Sequence, residues 1–128
     1  MSGNQKFFYC KRCGNIVAFI NNSGVPMICC GEKLTELVPN TVEASVEKHL
    51  PVVNIADGSI KVQVGSAPHP MEEGHHISFI YVETEKGGQR KHLNIGEEAK
   101  ASFSFLDDKP VAVYAYCNLH GLWKTDIK

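Results

Sequence analysis

Val111-Ala112-Val113-Tyr114-Ala115-Tyr116-Cys117-Asn118-Leu119-His120 is the stretch that decides the fold. Its first seven residues are β-branched, aromatic or small, and in a strand successive side chains alternate between faces. Val111, Val113, Ala115 and Cys117 then share one face. That face is the core side, so the Cys117 sulfur lies at the inner end of a strand. Asn118-Leu119 turn the chain and return His120 toward the same point, which makes a two-ligand loop.

Strand signals continue outward from this stretch. Val52 to Ile55 and Ile60 to Val64 flank Asp57-Gly58, a hairpin signal. In Ile60-Lys61-Val62-Gln63-Val64 apolar and polar residues alternate, as a half-buried strand requires. His76 to Thr84 and Arg90 to Ile95 flank Gly87-Gly88. Ala101 to Leu106 precedes Asp107-Asp108-Lys109-Pro110, which leads into the opening stretch. Leu122 to Ile127 supplies a last strand. No segment shows helical periodicity. About seven short antiparallel strands predict an all-β chain whose larger part is an immunoglobulin-like β-sandwich.

The break falls between Glu36 and Asn40, and it divides the chain into residues 1–37 and 38–128. The first part contains Cys10-Lys11-Arg12-Cys13-Gly14, the β-prone Ile16 to Ile20, a turn at Asn21 to Gly24, and Cys29-Cys30-Gly31. Three dozen residues bury too little apolar surface to fold unaided, so a structural metal is expected. Cys10, Cys13, Cys29 and Cys30 supply four thiolates, a set that suits zinc or iron. Gly14 allows a tight knuckle behind the first pair. The second pair is unusual, because side chains of adjacent residues diverge.

Composition narrows the rest. The chain has 128 residues, 43% of them hydrophobic, and a formal net charge of -1. That balance points neither to nucleic acid nor to disorder. No apolar run approaches the ~20 residues of a membrane helix. The first residues carry no apolar signal region, which predicts a cytoplasmic protein. Reduced thiols are the rule there, and five cysteines read as metal ligands before disulfides.

Histidines supply the second cluster. His69 lies between Pro68 and Pro70, in a loop whose stiffness lowers the entropy lost on holding a ligand. His75 follows after Met71-Glu72-Glu73-Gly74, and His49 lies in Glu47-Lys48-His49-Leu50-Pro51. His75 and His76 are neighbours, so at most one should bind. His92, in Arg90-Lys91-His92, reads as a surface residue. Two other readings fit part of this pattern. A cupredoxin-like electron carrier also places Cys and His on one late loop, but blue copper wants two histidines and a weak axial ligand. No methionine follows Cys117, and histidines are in surplus. A zinc-stapled binding module would leave Cys117 and its histidines unexplained.

Glu47-Lys48-His49, His69-Pro70-Met71-Glu72-Glu73-x-His75 and Cys117-Asn118-Leu119-His120-Gly121-x-Trp123 resemble the signature of the superoxide reductases. With the cysteine-rich first part, the whole chain resembles the two-iron branch, the desulfoferrodoxins. The resemblance implies a desulforedoxin-like module over residues 1–37 and a catalytic sandwich over 38–128. It implies two iron ions: one on Cys10, Cys13, Cys29 and Cys30, the other ringed by His49, His69, His75 and His120 with Cys117 axial, which excludes His76. The implied reaction is one-electron reduction of superoxide to hydrogen peroxide without dioxygen. Lys48 would attract superoxide and aid proton delivery, Glu47 would occupy the open iron position after turnover, and Tyr116 would sit beside the site. Rubredoxin or a similar small carrier would supply electrons in defence against oxidative stress. A homodimer is expected.

Overall fold

The computed structural model describes residues 3–42, 44 and 46–127. The outer limits proposed for the two parts, residues 1 and 128, lie outside the described residues. The chain forms two compact units, Asn4–Val38 and a second made of Pro39–Lys128 together with Met1–Gly3.

The first unit is built from minimal strands: β1 (Phe7–Tyr9), β2 (Ile16–Val17), β3 (Ile28–Cys29), β4 (Glu32–Lys33) and β5 (Thr35–Leu37). β1 pairs antiparallel with β2 and β5, and β3 pairs with β4. The β-prone run from Ile16 to Ile20 yields only two strand residues, and Ile20 is fully exposed. Phe7 and Cys10 are buried, and Phe8 meets Phe19 edge to face at 5.3 Å. So little apolar burial falls well short of what ordering 35 residues costs.

The second unit opens with one helical turn, α1 (Val46–His49), a departure from the expectation of no helix. Four residues are too few to show a 3.6-residue period in sequence. Seven strands follow among the described residues: β6 (Pro51–Ala56), β7 (Ser59–Val64), β8 (Ile77–Thr84), β9 (Gly87–His92), β10 (Lys100–Ser104), β11 (Pro110–Cys117) and β12 (Gly121–Asp126). They make two antiparallel sheets ordered β10-β7-β6 and β12-β11-β8-β9. Inward residues of both sheets form one core: Ile60, Val62 and Val64 of β7, Ile80 and Val82 of β8, Phe103 of β10, and Val113, Ala115 and Cys117 of β11. The architecture is the expected all-β sandwich, and Cys117 is fully buried at the core end of its strand.

One turn falls elsewhere than expected. Thr84 pairs with Gly87, so Glu85-Lys86 make the β8–β9 connection and the two glycines lie within β9. Gly88 is small because the Tyr81 ring lies across it, where a Cβ would collide. The open flank between β9 and β10 is closed by side chains: Gln89 Nε2 donates to Ser104 O at 2.8 Å and Lys91 Nζ donates to Ser102 O. Edge carbonyls are thereby satisfied without a further strand. On the opposite edge, Asn40 serves β12: Lys124 N donates to its Oδ1 at 2.9 Å while its Nδ2 donates to Lys124 O at 3.1 Å. That side chain takes the place of a strand partner.

Candidate metal centres

In the first unit, both cysteine pairs sit on tight turns. Gly14 N donates to Cys10 O at 2.9 Å, closing the first knuckle, with Gly14 at φ +83°. Ile28 pairs with Lys33 and Cys29 with Glu32, which leaves Cys30-Gly31 as a two-residue hairpin turn. Both turn residues have positive φ, 53° and 77°. Such mirror-image turns match strand twist, and they demand left-handed backbone at both positions. This resolves the adjacent cysteines: the left-handed Cys30 swings its side chain back toward Cys29. The four sulfurs gather within 4.8 Å of one another.

The protonation of this cluster shows what it lacks. Cys10 is pulled down to about 6, chiefly by the Cys13 backbone N–H. Cys30 is pushed up to about 12, chiefly by the Cys10 sulfur beside it. Cys29 is also raised, first by Cys13. Negative charge on Cys10 therefore opposes ionisation of Cys30 beside it. Four thiolates at this distance fit a metal ion.

The second cluster lies at one end of the sandwich, on four different segments. His49 ends α1 and is 3% exposed. His69, 6% exposed, lies in the β7–β8 connection, and His75 ends the same loop. Cys117 ends β11, and His120 closes the three-residue turn into β12. The four imidazoles form a square. Successive ring centroids are 4.7 Å (His49–His69), 4.8 Å (His69–His75), 5.1 Å (His75–His120) and 4.8 Å (His120–His49), and the diagonal His49–His75 is 6.5 Å. Each ring stands at 73–80° to its neighbours, so the rings present their edges to a common centre.

Donor atoms point the same way. His49, His69, His75 and Cys117 each offer one within 4.8 Å of the others. His120 joins through Nδ1, 3.1 Å from His49 Nε2 and 3.7 Å from Cys117 Sγ. His69 Nδ1 donates to Pro70 O at 2.7 Å, and a carbonyl can only accept, so its Nε2 carries a lone pair. Nε2 of His69 and of His75 are both buried without a hydrogen-bond partner. Buried polar atoms rarely go unpaired, so these two mark a missing ligand. Burial holds His69 down to about 4, hence neutral. Burial pushes the Cys117 thiol up, while backbone N–H groups of Leu119 and His120 oppose it. A buried sulfur with two donors aimed at it suits a thiolate bound to a cation.

The remaining expectations fall around this square. His76 stays outside it, its Nδ1 turned to Glu72 O and Glu73 O at 3.0 and 3.1 Å. His92 is exposed on β9. Glu47 and Lys48 are exposed on the turn that ends in His49. Tyr116 is half-buried and stacks on Phe79 at 6.0 Å. Met71 gives copper no axial ligand, because its Sδ accepts the Ile77 N–H at 3.3 Å.

Three residues near the square carry roles that sequence reasoning did not assign, although Asn118 and Trp123 stand in the quoted signature. Trp123 stacks on His49 at 5.1 Å and donates from Nε1 to His120 O at 3.1 Å, bracing two rings at once. Gly65, at φ +80°, lies against the α1 backbone: a Cβ there would sit 2.7 Å from Glu47 O and from Lys48 C. Asn118 links the two loops that carry His75 and Cys117. Its place between Cys117 and His120 was the signal available for it.

The family model described as Desulfoferrodoxin matches residues 41–126. The chain is 39% identical to the desulfoferrodoxin of Syntrophotalea carbinolica, over 98% of this chain and 99% of that one. It is 38% identical to the desulfoferrodoxin of Nitratidesulfovibrio vulgaris over the same shares. Among solved structures, the superoxide reductase from Treponema pallidum superposes with a TM-score of 0.81 at 33% identity, covering 97% of this chain and all of that one. The one-iron superoxide reductase (1Fe-SOR) from Giardia intestinalis superposes with a TM-score of 0.54 at 29% identity, covering 64% of this chain and 98% of its own.

Proposed function

The chain belongs to the desulfoferrodoxin family, and from that membership we propose that His49, His69, His75, His120 and Cys117 would hold one iron, while Cys10, Cys13, Cys29 and Cys30 would hold another. The chain is a superoxide reductase that uses two iron ions. Superoxide takes up one electron and two protons and leaves as hydrogen peroxide, with no dioxygen formed. The single observation that carries the ligand assignment is the square of four imidazoles closed by one buried cysteine.

When bound, ferrous iron would supply that electron, and the Cys117 thiolate would raise its electron density, as in thiolate-ligated haem. The residues of the chain prepare the rest. His69 is kept neutral by burial, so its lone pair is available through the working pH range. Leu119 and His120 N–H groups share the negative charge of Cys117 and temper its donation. Lys48, exposed beside the ligand His49, draws an anion toward a chain of net charge -1 and orders water for proton delivery. Glu47, exposed on the same turn, would offer its carboxylate as a further ligand to the iron. Tyr116 borders the site next to Cys117.

The same proposal divides the chain into a cysteine-iron domain, residues 1–37, and a catalytic domain, residues 38–128. A relative described as carrying one iron aligns with only 64% of this chain, which supports placing the chemistry in one part. Electrons come from rubredoxin or a comparable small carrier. Five free cysteines fit the reducing cytoplasm. No helix among the described residues is long and apolar enough to cross a membrane. Ile20, Val25 and Ile28 stand exposed on the first unit, apolar surface that a second copy would cover in a homodimer.

A pulse of superoxide against the reduced two-iron protein tests the chemistry. One hydrogen peroxide per superoxide with no dioxygen is expected. Dioxygen at half the superoxide consumed would mean dismutation and overturn the reading.

A further inference from the structure

We propose that Asn118 is a positioning residue: its side-chain amide locks the loop carrying His75 to the turn carrying Cys117 and His120, and so sets the angle at which imidazole and thiolate meet the iron. The proposal rests on the ligand assignment above and adds a residue that donates nothing to the metal.

The argument begins where the strand ladder fails. β11 pairs with β8 in register as far as Tyr116 and Phe79, then Cys117 pairs with Ile77, so Ser78 is left over as a bulge. Bulges re-aim a strand end. Past this point β11 turns away toward β12, and its backbone can no longer exchange both hydrogen bonds with the β8 side. Asn118 N still donates to His76 O at 3.1 Å. The reciprocal bond is made by its side chain, whose Oδ1 accepts the His76 N–H at 2.8 Å. Its Nδ2 donates to Gly74 O at 3.0 Å. One amide therefore grips the residues immediately before and after His75, while its own backbone joins Cys117 to the Leu119 and His120 N–H groups that face the sulfur.

The residue type follows from the partners. His76 N can only donate and Gly74 O can only accept, so the side chain must offer an acceptor and a donor at once. Aspartate keeps the acceptor but turns a second oxygen toward Gly74 O. Alanine has neither arm, and glutamine carries its amide one methylene too far. Outer-shell groups of this kind typically change metal affinity about 10- to 100-fold.

The test compares the unsubstituted two-iron protein with Asn118→Ala and Asn118→Asp, each oxidised. The readouts are the visible thiolate-to-iron charge-transfer band that Cys117→Ser lacks, which separates it from the bands of the four-cysteine iron, and the release of each iron to a chelator. A shifted band and release of the second iron about tenfold faster are expected for Asn118→Ala, with Asn118→Asp between. Release from the four-cysteine site should not change. A band at the original position with release of the second iron unaltered would overturn the proposal. Where Asn118→Ala does not fold, Asn118→Asp decides: a shifted band supports the role and an unshifted one removes it. A spectrum of the unsubstituted protein identical to that of Cys117→Ser, with only the bands of the four-cysteine iron, would instead sink the Cys117 assignment.

Discussion

The two metal sites of this chain were built in opposite ways. The four-cysteine site stands on two tight turns joined by strands of two or three residues, with Cys13 and Cys30 exposed. The histidine–cysteine site is set into the end of a sandwich of seven strands among the described residues, and it shares only Cys117 with the apolar core. In the first unit the metal makes the fold; in the second the fold makes the metal site. Burial records the difference: Cys117, His49 and His69 are between 0 and 6% exposed, held by segments that are ordered for other reasons.

The largest effect that could break this comparison is metal removal. Stripping both irons under reducing conditions should unfold residues 4–38 while the sandwich keeps its protected amides. On the order of 10 kcal/mol of metal-binding energy is folding energy in small metal-dependent modules. Hydrogen exchange followed by mass spectrometry reads this directly, and persistent protection in residues 4–38 would end the argument. A pair of ligand substitutions comes next. Cys117→Ser should cost the second iron and lower superoxide reduction roughly 100-fold or more, beyond the range of outer-shell partners, with little change in thermal stability. Cys13→Ser should do the reverse, loosening the first unit while the sandwich still turns over. Metal content and stopped-flow rates check both.

Gly65 sharpens the claim that the fold makes the second site. Gly65→Ala combines a left-handed conformation, costing about 1–2 kcal/mol for an ordinary residue, with a collision against Glu47 and Lys48 backbone. It should lower the melting temperature and the rate together, because α1 carries both His49 and Lys48. Gly96→Ala is the control: φ is +91° there too, but the space is open, so only the conformational cost remains and the rate should hold. The smallest effect belongs to charge. Lys48→Ala should slow the second-order reaction with superoxide about tenfold and flatten its dependence on ionic strength. An unchanged salt dependence would remove Lys48 from the approach path.

Much of the sandwich was legible in sequence because alternation has a fixed period of two. Val111 to Cys117 predicted a strand with the sulfur inward, and Ile60 to Val64 predicted a half-buried one; both are found. The failures have local causes. Gly87-Gly88 looked like a turn, yet both lie within β9, and Gly88 makes room for the Tyr81 ring, a contact between strands that spacing cannot show. Ile16 to Ile20 looked like a strand, but the first unit offers no sheet wide enough to bury Phe19 and Ile20 together. The adjacent cysteines looked ill-suited to one ion because a side-chain direction was assumed for extended chain. A left-handed residue, Cys30, changes that direction. The gathering of His49, His69 and His75 came from motif resemblance, since residues 20 and 6 apart in sequence meet only through tertiary folding. Asn118 was read only as a turn residue, because its linking role depends on a bulge in a different strand.

Trp123 gives the molecule an optical property. It is the chain's one tryptophan, and its indole lies face to face with His49 at 5.1 Å. Excited indole loses its energy quickly to a transition metal a few ångströms away, so emission should be dim when iron occupies the square and bright when it leaves. The protein thus carries its own unlabelled gauge of occupancy, seated against a ring of the centre it reports.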